Sequence, residues 1–160
     1  RDNHLFEIKL DDLLGEEIVL LLKEHLDDMR ATSPPESIHA LDLAKLKDPS
    51  VQFWTIWKGE LLAGCGAIKK LDASHGEIKS MRTANNFQKQ GIGSILLIHM
   101  LNEANSMGYR KLSLETGTMD YFKPAHSLYA KYGFKDCSPF SDYCDDPYSK
   151  FMTLDLYKQS

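Results

Sequence analysis

The chain is poor in cysteine, and its cysteines do not form a recognisable set. Cys65, Cys137 and Cys144 are odd in number, have no CxxC spacing and have no neighbouring histidine. This pattern argues against a disulfide framework and against a zinc site. We therefore expect reduced thiols, no bound metal and a cytoplasmic protein.

The sequence also lacks a long apolar run and an excess of basic charge. Its longest aliphatic stretch, from Ile18 to Leu22, is far shorter than the roughly 20 residues that cross a bilayer, and no signal-peptide pattern opens the chain. Lys and Arg number 19 against 23 Asp and Glu, so the net charge is −4. We expect neither a membrane nor a nucleic-acid partner, because binding by counterion release needs a basic surface.

The composition is that of an ordinary globular domain. Its 160 residues, 42% hydrophobic and 26% charged, suffice for one core, and no repeat or linker divides them. We predict a single domain over 1–160. The β-loop-α-β order from Glu77 to Thr116 requires a parallel strand pair, so an α/β domain with a mixed sheet follows.

Periodicity and turn signals predict the elements in order. They are a strand Leu5–Leu10, a helix ending near Arg30, a short helix opened by a capping box at Ser33–Glu36 and carrying Ile38, Leu41 and Ala44, a hairpin of Phe53–Trp57 with Leu61–Ile68, a turn Asp72–Gly76, a strand Glu77–Thr83, a helix Ile92–Met107, a strand Lys111–Thr116, a helix Pro124–Tyr132, a polar loop to about Tyr148 and a strand Phe151–Leu156.

A glycine-rich turn is the clearest chemical signal in the chain. Gln88-Lys89-Gln90-Gly91-Ile92-Gly93 opens an apolar helix after a polar connection. Glycines let the backbone approach an anion closely, and the free N–H groups at a helix start attract phosphate oxygens. The segment therefore predicts a site for a phosphorylated cofactor.

Two common phosphate sites fit this turn poorly. A Walker A loop needs Gly-Lys-Ser/Thr, and Gly93-Ser94-Ile95 lacks the lysine. A dinucleotide site would give Glu115 a role as ribose ligand, but the third glycine is absent and Ala84–Gln90 separates the turn from its strand.

Two separate motifs resemble the GNAT family of acyl-CoA-dependent N-acetyltransferases. Gln88-x-x-Gly91-x-Gly93 is similar to motif A of that family, and Ala125-His126-Ser127-Leu128-Tyr129-Ala130-Lys131-Tyr132-Gly133-Phe134 is similar to its A-x-x-L-Y-x-K-x-G-F segment. The likeness covers essentially the whole chain, and further stretches resemble a bacterial subgroup of small acetyltransferases. It implies the GNAT fold, a mixed and mostly antiparallel sheet with a splayed parallel central pair, flanked by helices.

The resemblance also implies acetyl-CoA as co-substrate and a set of residues that hold it. Backbone groups of Met81, Arg82 and Thr83 would pair with pantetheine. Many relatives add a contact from an asparagine at the position of Phe122, and the backbone of Thr116 and Gly117 would compensate for its absence. The pyrophosphate would lie on the backbone of the motif, with the Lys89 charge nearby: Gln88, Lys89, Gln90, Gly91, Ile92, Gly93 and Ser94.

The implied reaction is acetyl transfer to an amine of a small molecule or peptide, without a covalent enzyme intermediate. Tyr129 would protonate the leaving thiolate, and Glu77 or Glu115 would serve as base, unless water alone does so. The acidic loop around Asp142 would shape the acceptor pocket. A catalytically silent acyl-CoA-binding or regulatory module is the alternative, and a homodimer stays open. His25, His39 and His126 have no ligand spacing and are interpreted as surface or packing residues.

Overall fold

A seven-stranded sheet forms the centre of the molecule. The computed structural model describes residues 5–38 and 43–156. The strands are β1 Glu7–Leu10, β2 Val51–Lys58, β3 Leu61–Asp72, β4 His75–Thr83, β5 Lys111–Gly117, β6 Lys135–Asp136 and β7 Ser149–Asp155, in the spatial order β1-β2-β3-β4-β5-β7-β6. Only β4 and β5 pair in parallel among these described strands. The predicted mixed sheet with a parallel central pair is confirmed.

Helices cover both faces of this sheet. They are α1 Glu16–Thr32, α2 Leu43–Leu46, α3 Ile92–Ser106 and α4 Lys123–Lys131, with 3-10 turns at Pro35–Ser37, Asn85–Phe87 and Asp120–Phe122. One face of α3 is fully enclosed, as Leu97 and Met100 show, and so is the run Ala63–Ile68 of β3. Burial on both sides explains why β3 is apolar without alternation.

Three local predictions differ from the structure. Ser33 ends α1, donating its N–H to the Met29 carbonyl at 2.9 Å, and does not cap a following helix. The 3-10 turn Pro35–Ser37 follows, without a side-chain cap, because proline disfavours helical backbone at the residue before it. Of the residues predicted to lie on one helix, Ile38 has extended backbone, Leu41 lies outside the described residues, and Ala44 lies in α2. The turn predicted at Asp72–Gly76 narrows to residues 73 and 74, and the short edge strand β6 falls within the predicted polar loop.

The parallel pair is short, and the two strands then separate. Pairing runs from His75↔Lys111 to Ile78↔Leu114 and stops, although both strands continue. Strand β4 has one extra residue opposite Gly66, with Ser80 in the left-handed region at φ 58°, so it bends away with β3 while β5 follows β7. The sheet therefore opens at its centre.

One side chain on the buried face of α1 is polar and poorly satisfied. The His25 ring has its Nδ1 buried without a hydrogen-bond partner in the described part of the chain. Burial, reinforced by the Arg82 cation, lowers the pKa of His25 from 6.5 to about 4. The neutral ring is thus the form that the fold accepts.

We expect His25 to make the fold sensitive to mild acid. A group whose pKa is lower in the folded state binds protons more readily when unfolded, so stability is complete above pH 6.5 and falls as the pH drops towards 4. From pH 8 to pH 5 the loss should be about 2 kcal/mol. In urea unfolding, the free energy of unfolding of His25→Gln should fall between the two pH values by about 2 kcal/mol less than that of the unsubstituted protein.

The control is His99→Gln, because His99 lies edge-on to Trp54 at a ring-centroid distance of 6.1 Å, away from Arg82. That variant should keep the original pH dependence. An unchanged pH dependence in His25→Gln would contradict the assignment.

Candidate active site

A cavity of about 650 Å³ occupies the opening between β4 and β5. That volume is within the usual range for a small-molecule site. Most of the residues singled out in the sequence line it: Met81, Arg82, Thr83, Gln88, Lys89, Gly91, Ile92, Gly93, Ser94, Glu115, Thr116, Gly117 and Tyr129. Gln90 and Glu77 do not line the cavity. The structure thus gathers two distant sequence motifs around one space.

The glycine-rich turn presents backbone N–H groups at one end of the cavity. Lys89 and Gly91 have left-handed backbone at φ 65° and 79°, and Gly91 caps α3 without any side-chain hydrogen bond. The first amide of this helix that bonds back is Ile95 N–H, to the Gly91 carbonyl at 3.0 Å. The preceding N–H groups of the first turn lack intrahelical partners, which makes this helix start an anion site.

The two motif glycines have different reasons to be glycine. A Cβ on Gly91 would point into open space, with no atom within 4 Å, so its left-handed backbone is the constraint. A Cβ on Gly93 would lie 3.0 Å from Leu128 Cδ2. Gly93 therefore lets α3 pack closely on α4, whereas the sequence predicted that it spares room for the anion.

The walls of the opening expose backbone that a sheet would normally pair. From Met81 to Thr83, β4 has its ladder partners on β3 alone, since its pairing with β5 ends at Ile78. Across the opening, the Gly117 carbonyl accepts a hydrogen bond from His126 Nε2 at 2.7 Å, and the buried Phe122 ring occupies the place of any Gly117 side chain. His126 thus orients the end of β5.

Arg82 has a side-chain role that the sequence did not reveal. Its Nη1 donates to Asp28 Oδ2 at 2.7 Å and to the Tyr121 hydroxyl at 2.8 Å, and its Nη2 donates to Glu24 Oε1 at 3.2 Å. The Tyr121 hydroxyl also donates to Asp28 at 3.2 Å. The hydrogen bond from Arg82 holds the pKa of Asp28 below its usual range. These contacts tie α1 and the turn after β5 to the free part of β4.

Two carboxylates on one face of the sheet have different surroundings. Glu77 is 3% exposed and its Oε2 accepts from the Tyr143 hydroxyl at 2.6 Å and from Lys79 Nζ at 3.2 Å. Glu115 lines the cavity, and its Oε2 accepts from Ser149 Oγ at 2.8 Å. Burial, followed by the Glu77 charge, raises the pKa of Tyr143, so this phenol stays a donor at neutral pH.

Two further groups in the cavity keep their protons at neutral pH. Tyr129 lines it from α4, packed against Phe134 at a ring-centroid distance of 5.6 Å, and burial raises the pKa of its hydroxyl. Cys65 also lines the cavity; its thiol donates to the Ser80 carbonyl at 3.3 Å, and burial raises its pKa to about 12. The cavity therefore offers a proton donor but no thiolate.

Within the ranges 5–38 and 43–156, no cluster of three or more His, Cys, Asp or Glu side chains has the arrangement of a metal site. None of the helices described there combines the length and apolar character needed to cross a membrane.

Comparison with known proteins agrees with this geometry. The family model for acetyltransferase (GNAT) family proteins matches residues 18–134. The chain is 54% identical over 149 residues to the uncharacterized N-acetyltransferase YsnE of Bacillus subtilis, covering 93% of this chain and 99% of YsnE. It is 51% identical over 152 residues to the uncharacterized N-acetyltransferase YedL of Escherichia coli, covering 95% of this chain and 96% of YedL.

Solved structures share the fold. A Klebsiella pneumoniae protein assigned as an acyl-CoA N-acyltransferase superposes with a TM-score of 0.80 at 28% identity, covering 96% of this chain and 99% of that one. A GNAT acetyltransferase from Elizabethkingia anophelis, solved with acetyl-CoA bound, superposes with a TM-score of 0.67 at 22% identity, covering 98% and 100%. A family match over most of its length, and relatives above half identity, show that the chain belongs to the GNAT family of N-acetyltransferases.

Proposed function

We propose that the protein moves the acetyl group of acetyl-CoA directly to a primary amine of a small molecule or peptide, in a ternary complex without a covalent intermediate. One observation carries the proposal: an anion-binding helix start, unpaired strand backbone, a carboxylate and a protonated tyrosine all line one cavity. In this proposal the whole chain, 1–160, acts as one catalytic domain. Its free thiols fit the reducing cytoplasm.

The described residues fit coenzyme A. The backbone from Gln88 to Ser94 would hold the pyrophosphate, with Lys89 as a nearby charge, and Gly91 leaves open space on that side. The amide chain of pantetheine would pair with Met81–Thr83 on one wall and with Thr116 and Gly117 on the other. When bound, acetyl-CoA supplies the activated acyl group.

The acceptor must lose a proton before it can attack. An amine with an unperturbed pKa near 10.4 is almost wholly charged at pH 7, a penalty of roughly 4 to 5 kcal/mol. We propose Glu115 as the carboxylate that takes this proton, since it lines the cavity, and we rank Glu77 second because it does not. The new C–N bond then replaces the C–S bond, the nitrogen loses its second proton to solvent, and the thiolate leaves with a proton.

Tyr129 is the proposed source of the proton for the thiolate. Its hydroxyl is protonated in the buried site, because burial raises its pKa. Direct transfer is favoured over a thioester on the protein because the one cysteine that lines the cavity, Cys65, has its pKa raised to about 12.

Binding and turnover separate this proposal from a silent acyl-CoA-binding module. Titration calorimetry with acetyl-CoA should detect a complex under both hypotheses, whereas release of free thiol with a panel of amines should occur only for an enzyme. Binding without turnover on any amine would favour the module, and binding of a nicotinamide dinucleotide alone would overturn both.

We expect the left-handed glycine of the motif to be specifically required for acetyl-CoA. Gly91→Ala adds a methyl group to open space and strains the backbone by about 1 kcal/mol or more. It should weaken acetyl-CoA binding at least about tenfold, because the N–H groups would no longer converge. Lys89→Ala should weaken binding only a few-fold, since an exposed charge contributes little.

Gly59→Ala is the matched control for this change. Gly59 has φ +60° and no atom within 4 Å of the position that a methyl group would take, yet it lies in the turn between β2 and β3 and does not line the cavity. The variant should carry the same backbone strain and bind acetyl-CoA normally. Equal loss of binding in both variants would point to instability of the fold.

We expect the hydroxyl of Tyr129 to act in turnover and not in binding. Tyr129→Phe should lower kcat by about 10²-fold, a typical contribution of a positioned proton donor, with little change in the Kd for acetyl-CoA. Tyr132→Phe, at the end of the same helix but outside the cavity, serves as control. An unchanged kcat in Tyr129→Phe would remove this residue from the mechanism.

A further inference from the structure

Lys79 is a nearly buried cation that lines the cavity. It lies on β4 immediately after the last parallel pair, and its side chain is 8% exposed. Its Nζ donates to Glu77 Oε2 at 3.2 Å and to the Tyr143 hydroxyl at 2.9 Å. An ammonium has three donors, so these two contacts leave one for a ligand.

The two members of the Lys79–Glu77 ion pair differ in their position relative to the cavity. Lys79 lines the cavity, whereas Glu77 lies behind it, 4% exposed at the side chain and held by the Tyr143 hydroxyl. The pair is neutral as a whole, and of its two members Lys79 is the one that lines the cavity. Because few water molecules reach either charge, the attraction for an anionic group is weakly screened.

Glu115 provides the opposite charge across the same narrow end. Glu77 pairs with Ser113, and side chains alternate along a strand, so Lys79 and Glu115 project from the same face of the sheet. Each directly follows the last residue pair, Ile78↔Leu114, and both line the cavity. The start of the opening is therefore positive on one wall and negative on the other.

Arg82 is the other strong cation in the cavity, but its charge is already matched. Its Nη1 binds Asp28 at 2.7 Å and its Nη2 binds Glu24 at 3.2 Å. The two carboxylates carry more negative charge than the single guanidinium carries positive charge. It also lies three residues beyond Lys79, where the strands are further apart. An incoming carboxylate would therefore meet Lys79 more favourably.

We propose that the acceptor is a small amino carboxylate of the α-amino acid type, whose carboxylate binds Lys79 while its ammonium binds Glu115. This rests on the proposed function. The ammonium then lies beside Glu115, which takes one of its protons. The neutral amine forms the C–N bond as the C–S bond of the thioester breaks, Tyr129 gives its proton to the thiolate, and the second proton lost from nitrogen restores the Tyr129 hydroxyl by way of solvent. An acceptor without a carboxylate leaves a buried donor of Lys79 unmatched, which selects against it.

Matched acceptors test the proposal directly. Free α-amino acids, their carboxamides and their decarboxylated amines share one side chain and differ in the group that Lys79 would bind. The pKa of the amine also differs among them, so kcat/KM is calculated on the concentration of neutral amine. With acetyl-CoA saturating, kcat/KM should be at least tenfold higher for the acids than for either neutral analogue. Equal or higher values for the neutral analogues would overturn the proposal.

Variants at Lys79 give a second and independent readout. Lys79→Met should reduce the ratio of acid to amide kcat/KM to about one, and Lys79→Arg should keep part of it. Because Lys79→Met leaves Glu77 buried and unpaired, the double variant Glu77→Gln with Lys79→Met is included to preserve the fold. The ratio is measured within each variant, so a general loss of rate cancels. An unchanged ratio in either methionine variant would overturn the proposal.

The outcomes separate this inference from the function on which it rests. Acetylation of amines without preference for a carboxylate would leave the acetyltransferase intact and reject the amino carboxylate. Failure to transfer to any amine, with or without acetyl-CoA binding, would reject both.

Discussion

The separation of β4 from β5 is the constraint on which the rest of the site depends. Four residue pairs hold the strands in parallel, and one extra residue at Ser80 then turns β4 towards β3. Backbone groups that a continuous sheet would satisfy are left facing the opening. Unpaired backbone away from water is costly, and a ligand with its own amides offsets that cost. The same irregularity therefore creates the cavity and supplies its hydrogen-bonding walls.

Charged and polar contacts connect the two walls of this opening. Arg82 connects β4 to Asp28 on α1 and to Tyr121 beyond β5, so the two separated walls are joined through one guanidinium. Tyr143 reaches from the loop between β6 and β7 to Glu77 in the same way. These contacts fix the two walls relative to one another, and such preorganisation lowers the cost of binding a ligand.

The sequence predicted what local signals encode. The element order, the parallel pair and the cavity-lining turn were predictable because Gly91, Gly93 and the apolar period of α3 lie within a few residues of one another. Arg82 and Asp28 are 54 residues apart in the sequence, and Tyr143 and Glu77 are 66 apart, so no local pattern predicts these contacts. The capping box failed for a different, local reason, since the Ser33 N–H bonds to the Met29 carbonyl at the end of α1. The cofactor contacts predicted from the family motifs, those of the turn included, remain predictions.

Glu77 and Glu115 show how environment divides the work of two similar side chains. Both project from one face of neighbouring strands, two positions apart in the ladder, and sequence alone could not rank them. Glu77 is enclosed by the Tyr143 phenol and the Lys79 ammonium and does not line the cavity, so a substrate bound there would not contact it. Glu115 lines the cavity, and the Ser149 hydroxyl that donates to its Oε2 fixes the orientation of the carboxylate. The enclosed carboxylate therefore pairs with Lys79, and in the proposed mechanism the carboxylate that lines the cavity is the one that meets the amine.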